Sequence, residues 1–575
     1  MLRKRLFALL CAITFIFLSV LCRVFFVQIV DGKSLQKKAV DQWTRDIPVK
    51  AARGKITDRN GIILAENKQS YAVFARTRIV EDVEKTAKVL SETLGVDYEK
   101  LVSKMRSGGV SEITVKRQVP REVTDELSGY SLPGVYFCRD SERNYPYGDS
   151  LAQIIGYTSV DGSGQSGLEK RYDEYLKGYD GEILYEADLI GKDVKGSSAK
   201  YIPATNGLNL RLTIDYEIQM ICDAVIKKVV AEYAPKSASV IVTSPKTGGI
   251  YAVSQRPSFN LNEVPRDDTG FLNKVSRCNL IVDSYEPGST FKIITSAANI
   301  EENLKGNPNA FSADYVFNSN RFRYVDGRKI KCWSTHANGK HSNERLAEAL
   351  NNSCNPCFVD IALSLGKDVM YSYLDAFGFG KTTGVDYGGE AIGMLVPKSA
   401  VTNGDLARIG FGQTIAITPI QLVAAVSAAI NGGTYHEPYF VSEISDESGR
   451  ICEIVNPKPL RKTISEKASE TLRGYLEDVV TKGSGKQAYI EGYRVGGKTG
   501  TAQKYENGRI AQGKYVMSFI GFFPADEPEY IALCVVDEPV GGKYGSTVAA
   551  PPVRDIFEGI IQCKGKVKNE NGKSF

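Results

Sequence analysis

Between Leu6 and Cys22 the chain carries no charged residue, and Arg3-Lys4-Arg5 stands directly before that run. A run of 17 residues at 1.5 Å each spans about 25 Å as a helix, a little short of a hydrocarbon core of about 30 Å. Arg23 interrupts the run, but an arginine near the interface can snorkel, and Val24–Val30 is apolar again apart from Gln28. The pattern predicts one membrane anchor over 6–30 behind a tail of residues 1–5. A cleaved signal peptide would need small residues at its cleavage site, and the residue before Cys22 is the bulky Leu21. No other segment reaches spanning length, so everything after the anchor is expected on one side of the membrane. Lys33, Lys37 and Lys38 nearly balance the N-terminal cluster, so charge alone leaves the orientation open.

The remaining chain is long enough, at 575 residues in all, for two or three domains. Net charge is +5 and Arg3-Lys4-Arg5 supplies three of those charges, so the rest lacks the basic excess of a nucleic-acid binder. Three His argue against multi-His metal catalysis. Of 11 Cys, the only close pair, Cys354 and Cys357, has no partner pair at zinc-site spacing. The expectation is no metal and no cofactor. Nine Cys follow the anchor, an odd number without a disulfide framework. They read as mostly buried and reduced, Cys354 included.

Residues 31 to about 200 read as a mixed, turn-rich region. Asp58-Arg59-Asn60-Gly61 is a hairpin signal, Gly108-Gly109 and Asp161–Gly164 are turns, and helical periodicity appears over Val83–Leu94 and Leu168–Leu176. Gly191–Lys200 reads as a linker. From about Leu208, strand-like runs (Ser239–Thr243, Met517–Phe523, Tyr530–Val536) mix with helical ones (Ile218–Ala231, Ile420–Ile430), which suggests one large α/β-type domain. Lys564–Phe575 is polar and reads as a disordered tail.

With so few His, acyl-transfer chemistry would need another base, and Lys serves when its pKa is depressed. Ser followed three residues later by Lys puts both on one helix face. The pattern occurs at Ser34, Ser197, Ser289 and Ser364, so by itself it decides nothing. Ser34/Lys37 lies beside the anchor, Ser197/Lys200 in the linker, and Ser364/Lys367 encloses Gly366 and reads as a helix end. Only Ser289/Lys292 follows a helix-start signal, Glu286-Pro287-Gly288, and opens an apolar helix. Unpaired N–H groups there suit an oxyanion, although Ser289 taken by itself reads first as a plain cap. Ser353-Cys354-Asn355 and Ser258-Phe259-Asn260 both read as polar turns. Lys498-Thr499-Gly500-Thr501 follows two glycines, where a ligand could come close to the backbone, whereas Lys246-Thr247-Gly248 reads as a hairpin turn. The order Ser-x-x-Lys, Ser-x-Asn, Lys-Thr-Gly, with steps of 64 and 145 residues between positions 289, 353 and 498, selects one copy of each. That order is shared by penicillin-binding proteins and class A β-lactamases.

The chain resembles the class B penicillin-binding proteins, monofunctional D,D-transpeptidases of bacterial wall synthesis, with a lean toward the division and sporulation branch. Arg53–Gly61, Arg143–Gly148 and Gly167–Tyr172 resemble signatures of their N-terminal dimerisation (pedestal) domain. Thr213-Ile214-Asp215, Phe377–Gly380, Gly412-Gln413 and Thr418–Leu422 resemble transpeptidase segments. The resemblance implies an α+β or α/β multidomain chain. It would comprise the anchor, a β-rich pedestal over 31–205, a transpeptidase domain over 206–562 with a mainly antiparallel sheet covered by helices, and a tail over 563–575.

It implies Ser289 as nucleophile on a stem pentapeptide or a β-lactam, and Lys292 as its base. Ser353 would relay a proton, and Asn355 would hold Lys292 and the substrate amide. Lys498, Thr499, Gly500 and Thr501 would bind the terminal carboxylate, with backbone N–H groups of Ser289 and Thr501 as oxyanion hole. Lys498 would also help keep Lys292 neutral by like-charge repulsion. It further implies a cytoplasmic N-terminus, an extracytoplasmic catalytic domain, and partners that include a polytopic membrane glycosyltransferase and other wall-synthesis or divisome proteins. A serine β-lactamase or carboxypeptidase, and a non-enzymatic β-lactam sensor or scaffold, are the alternatives.

Overall fold

Antiparallel sheets and buried helices position everything that follows. The computed structural model describes residues 2–32, 44–107, 112–186, 200–336, 341–506 and 509–565. Chain contacts divide it into two compact units, Met1–Arg53 with Lys177–Gly207, and Gly54–Leu176 with Leu208–Phe575. In the first unit, helix α1 (Leu2–Phe25) runs on through a π-helical turn over Phe26–Val30, and neither stretch buries a residue. The 29 residues Leu2–Val30 are long and apolar enough to cross a membrane. Strand Thr44–Val49 pairs antiparallel with Gly181–Glu186, which pairs with Lys200–Ile202.

The second unit opens with the expected hairpin. Strands β1 (Ile56–Thr57) and β2 (Ile63–Ala75) are antiparallel, and the buried Asp58 side chain accepts from the N–H groups of Asn60, Ile62 and Tyr216. β3 (Ile113–Val119) and β4 (Val135–Asn144) flank β2, while β5 (Asn209–Leu212) joins β1 in parallel. Helix Val83–Leu94 forms where periodicity predicts it. Asp82 caps it by accepting from Lys85 N, Gly95 ends it with φ 65°, and Ala87, Leu90 and Leu94 face inward. Two of the recognised segments meet in a buried ion pair, Arg143 Nε to Glu169 Oε1 at 2.7 Å. The glycine pair at 108–109 and most of the 191–200 linker and 564–575 tail lie outside the described residues; Lys200 itself begins a strand.

A five-stranded sheet of this unit holds β6 (Ser237–Thr243), β7 (Ile250–Arg256), β8 (Gly496–Glu506), β9 (Arg509–Phe523) and β10 (Tyr530–Asp537), in the order β7-β6-β10-β9-β8. All four pairings are antiparallel. Strand–helix mixing alone suggests an α/β-type sheet; the antiparallel arrangement is the one the resemblance implies. Residues 246–248 form the turn between β6 and β7, as expected. Alternation sets the two faces. Ile531 and Leu533 of β10 join one core, and Ala532, Cys534 and Val536 the other. Helices α2 (Tyr216–Tyr233) and α7 (Ala550–Cys563) cover the second face. The first packs on α3 (Lys292–Leu304), α4 (Asn355–Ala376, kinked at Gly366), α5 (Pro419–Ile430) and α6 (Glu466–Thr481). α5 is buried along its whole length and starts with a reciprocal cap between Thr418 and Gln421.

Candidate active site

Ser289 lies in a single 3₁₀ turn, Gly288–Phe291, directly before α3. It is half-buried, while Thr290, Phe291 and Lys292 around it are buried. Gly288 adopts φ 56°, and a Cβ there would sit 3.2 Å from Thr501 O; its N–H donates to Gly412 O. A Cβ on Gly500 would sit 3.1 Å from Pro287 O. Glycine at both places lets the turn bearing Ser289 lie directly against β8, the edge strand bearing Lys498–Thr501.

Lys292 points into the core below this turn and is fully buried. Its Nζ donates to Ser353 O (2.7 Å), Ser353 Oγ (3.1 Å) and Asn355 Oδ1 (2.7 Å). The turn that offers these three acceptors is strained: Ser353 has φ 56°, and α4 begins at Asn355 with Pro356 behind it. Burial lowers the Lys292 ammonium to about 8, against the pull of the acidic groups facing it, Cys332, Cys354, Cys357 and Glu344.

Lys498 is equally buried, and its Nζ lies 3.3 Å from both the carbonyl and the hydroxyl oxygen of Thr499. Burial holds this ammonium well below its ordinary value, and the neighbouring Lys292 lowers it further. Burial is the first cause on both lysines, and the repulsion between them, which acts on each alike, adds to it. Among the described residues neither ammonium forms a salt bridge with a carboxylate. Thr499 Oγ1 also meets Ser484 Oγ at 3.3 Å, and Thr501 Oγ1 accepts from Gly545 N at 3.0 Å. All eight motif residues, Ser289, Lys292, Ser353, Asn355 and Lys498–Thr501, thus fall on three neighbouring stretches of chain: the turn that leads into α3, the turn that leads into α4, and β8. Ser258-Phe259-Asn260 takes no part: Ser258 Oγ donates to Asp149 O.

Several neighbours carry no signal in the sequence. Ser484 reaches the site only through tertiary packing. Trp333 donates from Nε1 to Asn352 O and meets the ring of Tyr544 edge-on at 6.2 Å. Cys332, His336, His341 and Cys354 come together beside the Ser353 turn, with their ligand atoms all within 4.8 Å of one another. Glu344, Cys354 and Cys357 form a second trio of the same kind. Spacing led to the expectation of no metal. The folded chain nevertheless assembles a set with two sulfur and two nitrogen donors, which suits a borderline-soft divalent cation. Six of the nine Cys beyond α1 are buried: Cys222, Cys278, Cys332, Cys354, Cys357 and Cys534.

Comparison with known proteins agrees with this geometry. Residues 238–558 match the family described as penicillin binding protein transpeptidase domain, and residues 48–212 the penicillin-binding protein dimerisation domain. The chain belongs to the penicillin-binding protein transpeptidases, among the class B members that join these two domains. Stage V sporulation protein D of Bacillus subtilis (strain 168) is 39% identical over 99% of this chain and 87% of its own length. Peptidoglycan D,D-transpeptidase FtsI of Escherichia coli (strain K12) is 29% identical over 97% of this chain and 91% of its own. Penicillin binding protein 2X from Streptococcus thermophilus shares the fold, with a TM-score of 0.73 at 24% identity over 91% of this chain and 81% of that one.

Proposed function

We propose that the chain is a serine D,D-transpeptidase that cross-links peptidoglycan stem peptides through an acyl-enzyme on Ser289. Neutral Lys292 takes the Ser289 Oγ proton as the oxygen attacks the carbonyl of the penultimate D-Ala of a stem pentapeptide. Backbone N–H groups of Ser289 and Thr501 bind the developing oxyanion. The proton passes from Lys292 through Ser353 Oγ to the leaving amine, and the terminal D-Ala departs. An amine of a neighbouring stem then attacks the acyl-enzyme and restores Ser289. Lys498, with Thr499, Gly500 and Thr501, binds the substrate's terminal carboxylate, and Asn355 orients Lys292 and the substrate amide. A β-lactam presents the same carbonyl and carboxylate and acylates Ser289.

The observation that carries this reading is Lys292, buried, in no salt bridge among the described residues, and shared between Ser353 and Asn355. Fluorescent penicillin tests it. Wild type should take the label in a long-lived adduct and Ser289→Ala should not. Equal labelling of both would reject the assignment, and rapid release of hydrolysed antibiotic would favour a β-lactamase or carboxypeptidase.

The anchor over 6–30 holds the protein in the bacterial cell membrane with a cytoplasmic N-terminus, so that the pedestal (31–205), transpeptidase domain (206–562) and tail (563–575) work on the wall outside. Glycan polymerisation comes from a separate polytopic membrane glycosyltransferase. The role is division or spore formation, and other wall-synthesis or divisome proteins are partners. Depletion followed by microscopy separates the two roles.

A further inference from the structure

The geometry points to a zinc site formed by Cys332, His336, His341 and Cys354 that pins the Ser353-Cys354-Asn355 turn and so holds Lys292 in place. Tetrahedral zinc with Zn–S bonds of about 2.3 Å and Zn–N bonds of about 2.0–2.1 Å keeps a sulfur and a nitrogen ligand about 3.6 Å apart. Cys354 Sγ lies 3.8 Å from His336 Nε2, and Cys332 Sγ lies 3.9 Å from His341 Nδ1. Four ligand atoms within 4.8 Å of one another therefore close on a zinc ion with small side-chain movements.

The surroundings are those of a built site. Cys332, His341 and Cys354 are 4%, 6% and 2% exposed. His336 Nδ1 lies 2.9 Å from Ser319 O, where it can only donate. That bond fixes the tautomer and leaves the Nε2 lone pair facing Cys354 Sγ, the outer-shell arrangement that metal-binding histidines use. The two imidazoles stack with centroids 4.4 Å apart, which holds both rings at the cluster. Two thiolates, two neutral imidazoles and Zn²⁺ sum to zero charge. Binding releases one proton from each thiol to solvent, so the loaded cluster adds no net charge beside the buried Glu344, whose carboxylate lies 3.6 Å from His341 Nδ1.

The mechanical consequence follows from chain position. Cys354 lies between Ser353 and Asn355, both of which accept from Lys292 Nζ. A bond from Cys354 to a metal also held by Cys332, His336 and His341 ties this left-handed turn to the segment after strand Arg328–Lys331. The four ligands are positioning residues for the base; none is placed on the substrate. The effect on acylation rests on the function proposed above, whereas the metal content does not.

The test uses the full chain in detergent, purified under nitrogen from zinc-supplemented cells. One tightly held zinc per chain is expected, and Co²⁺ added to the chelator-stripped protein should give tetrahedral ligand-field bands with thiolate charge transfer. Cys332→Ser and His341→Ala should lose the metal; Cys357→Ser and Ser289→Ala should keep it. Stripping the wild type should slow acylation by a fluorescent penicillin about tenfold, as a small misplacement of a catalytic group does, and zinc should restore the rate. Wild type that holds no zinc, a Cys332–Cys354 disulfide in its place, or full zinc in Cys332→Ser and His341→Ala overturns the site. Zinc loss in Cys357→Ser with retention in His336→Ala overturns the ligand set. Ser289→Ala that keeps both zinc and labelling would instead overturn the proposed nucleophile.

Discussion

Lys292 is the residue on which the chemistry turns, because its position sets its charge. Burial brings its ammonium to about 8, below the ordinary 10.5. A base must be neutral, so acylation of the zinc-stripped chain should rise with pH through about 8 and level off above it. Cys332, Cys354, Cys357, Glu344 and Lys498 are the groups that face it. Stability should move the same way: between about 8 and 10.5 the unfolded chain binds more protons than the folded one, so the cost of burying this lysine is full below that window and fades as pH rises through it. Stopped-flow acylation and denaturation across pH 6.5–10.5 would check both, and a flat rate profile would remove Lys292 as the base. Lys292→Ala should slow acylation by about 10²–10⁴-fold. At this scale the sequence is informative where order carries the signal. Ser289, Ser353 and Lys498 are picked out from duplicate motifs by their succession. The cluster at 332–354 is invisible there, because its intervals of three, four and twelve intervening residues match no paired zinc spacing, and its second cysteine hides inside the Ser-x-Asn turn.

Between elements, the decisive contact is backbone against backbone, where the 287–291 turn meets β8. Gly500→Ala would put a methyl carbon 2.4 Å from Ser518 Oγ and 3.1 Å from Pro287 O. The hydroxyl can be removed; the carbonyl cannot. The single variant should lose about 1–3 kcal/mol, as overpacked sites do, and should acylate slowly. Adding Ser518→Ala should restore much of the Tm while acylation stays slow, because Pro287 still blocks the approach of the turn. Recovery of both together would show that the contact is only structural. Helices and strands here are largely readable from sequence, since caps such as Asp82 and Thr418 and the alternation in β10 are local chemistry. That β8 is the edge strand is not readable. It precedes β9 and β10 in the chain, yet the sheet closes on the far side with β6 and β7, which enter more than 200 residues earlier.

At the scale of the whole molecule, chain order and compactness part company. Lys177–Gly207 groups with Met1–Arg53, while Gly54–Leu176 groups with everything after Leu208. Composition shifts can mark a linker near 191–200, but they cannot show that the chain leaves one compact unit and returns to another. The anchor is the opposite case, legible because its signal is local, an apolar run broken only by Arg23 and Gln28. It also makes a clean prediction. α1 and the turn after it contain no buried residue, and an apolar surface of that length finds its burial in lipid. Deleting residues 1–30 therefore removes no buried side chain among the described residues. The shortened chain should move from the membrane to the soluble fraction and take up fluorescent penicillin at the rate of the full-length protein in detergent. Persistent membrane association would mean that a second surface binds lipid or a membrane partner. Loss of acylation would mean that the anchor supports the site in a way its exposed surface does not show.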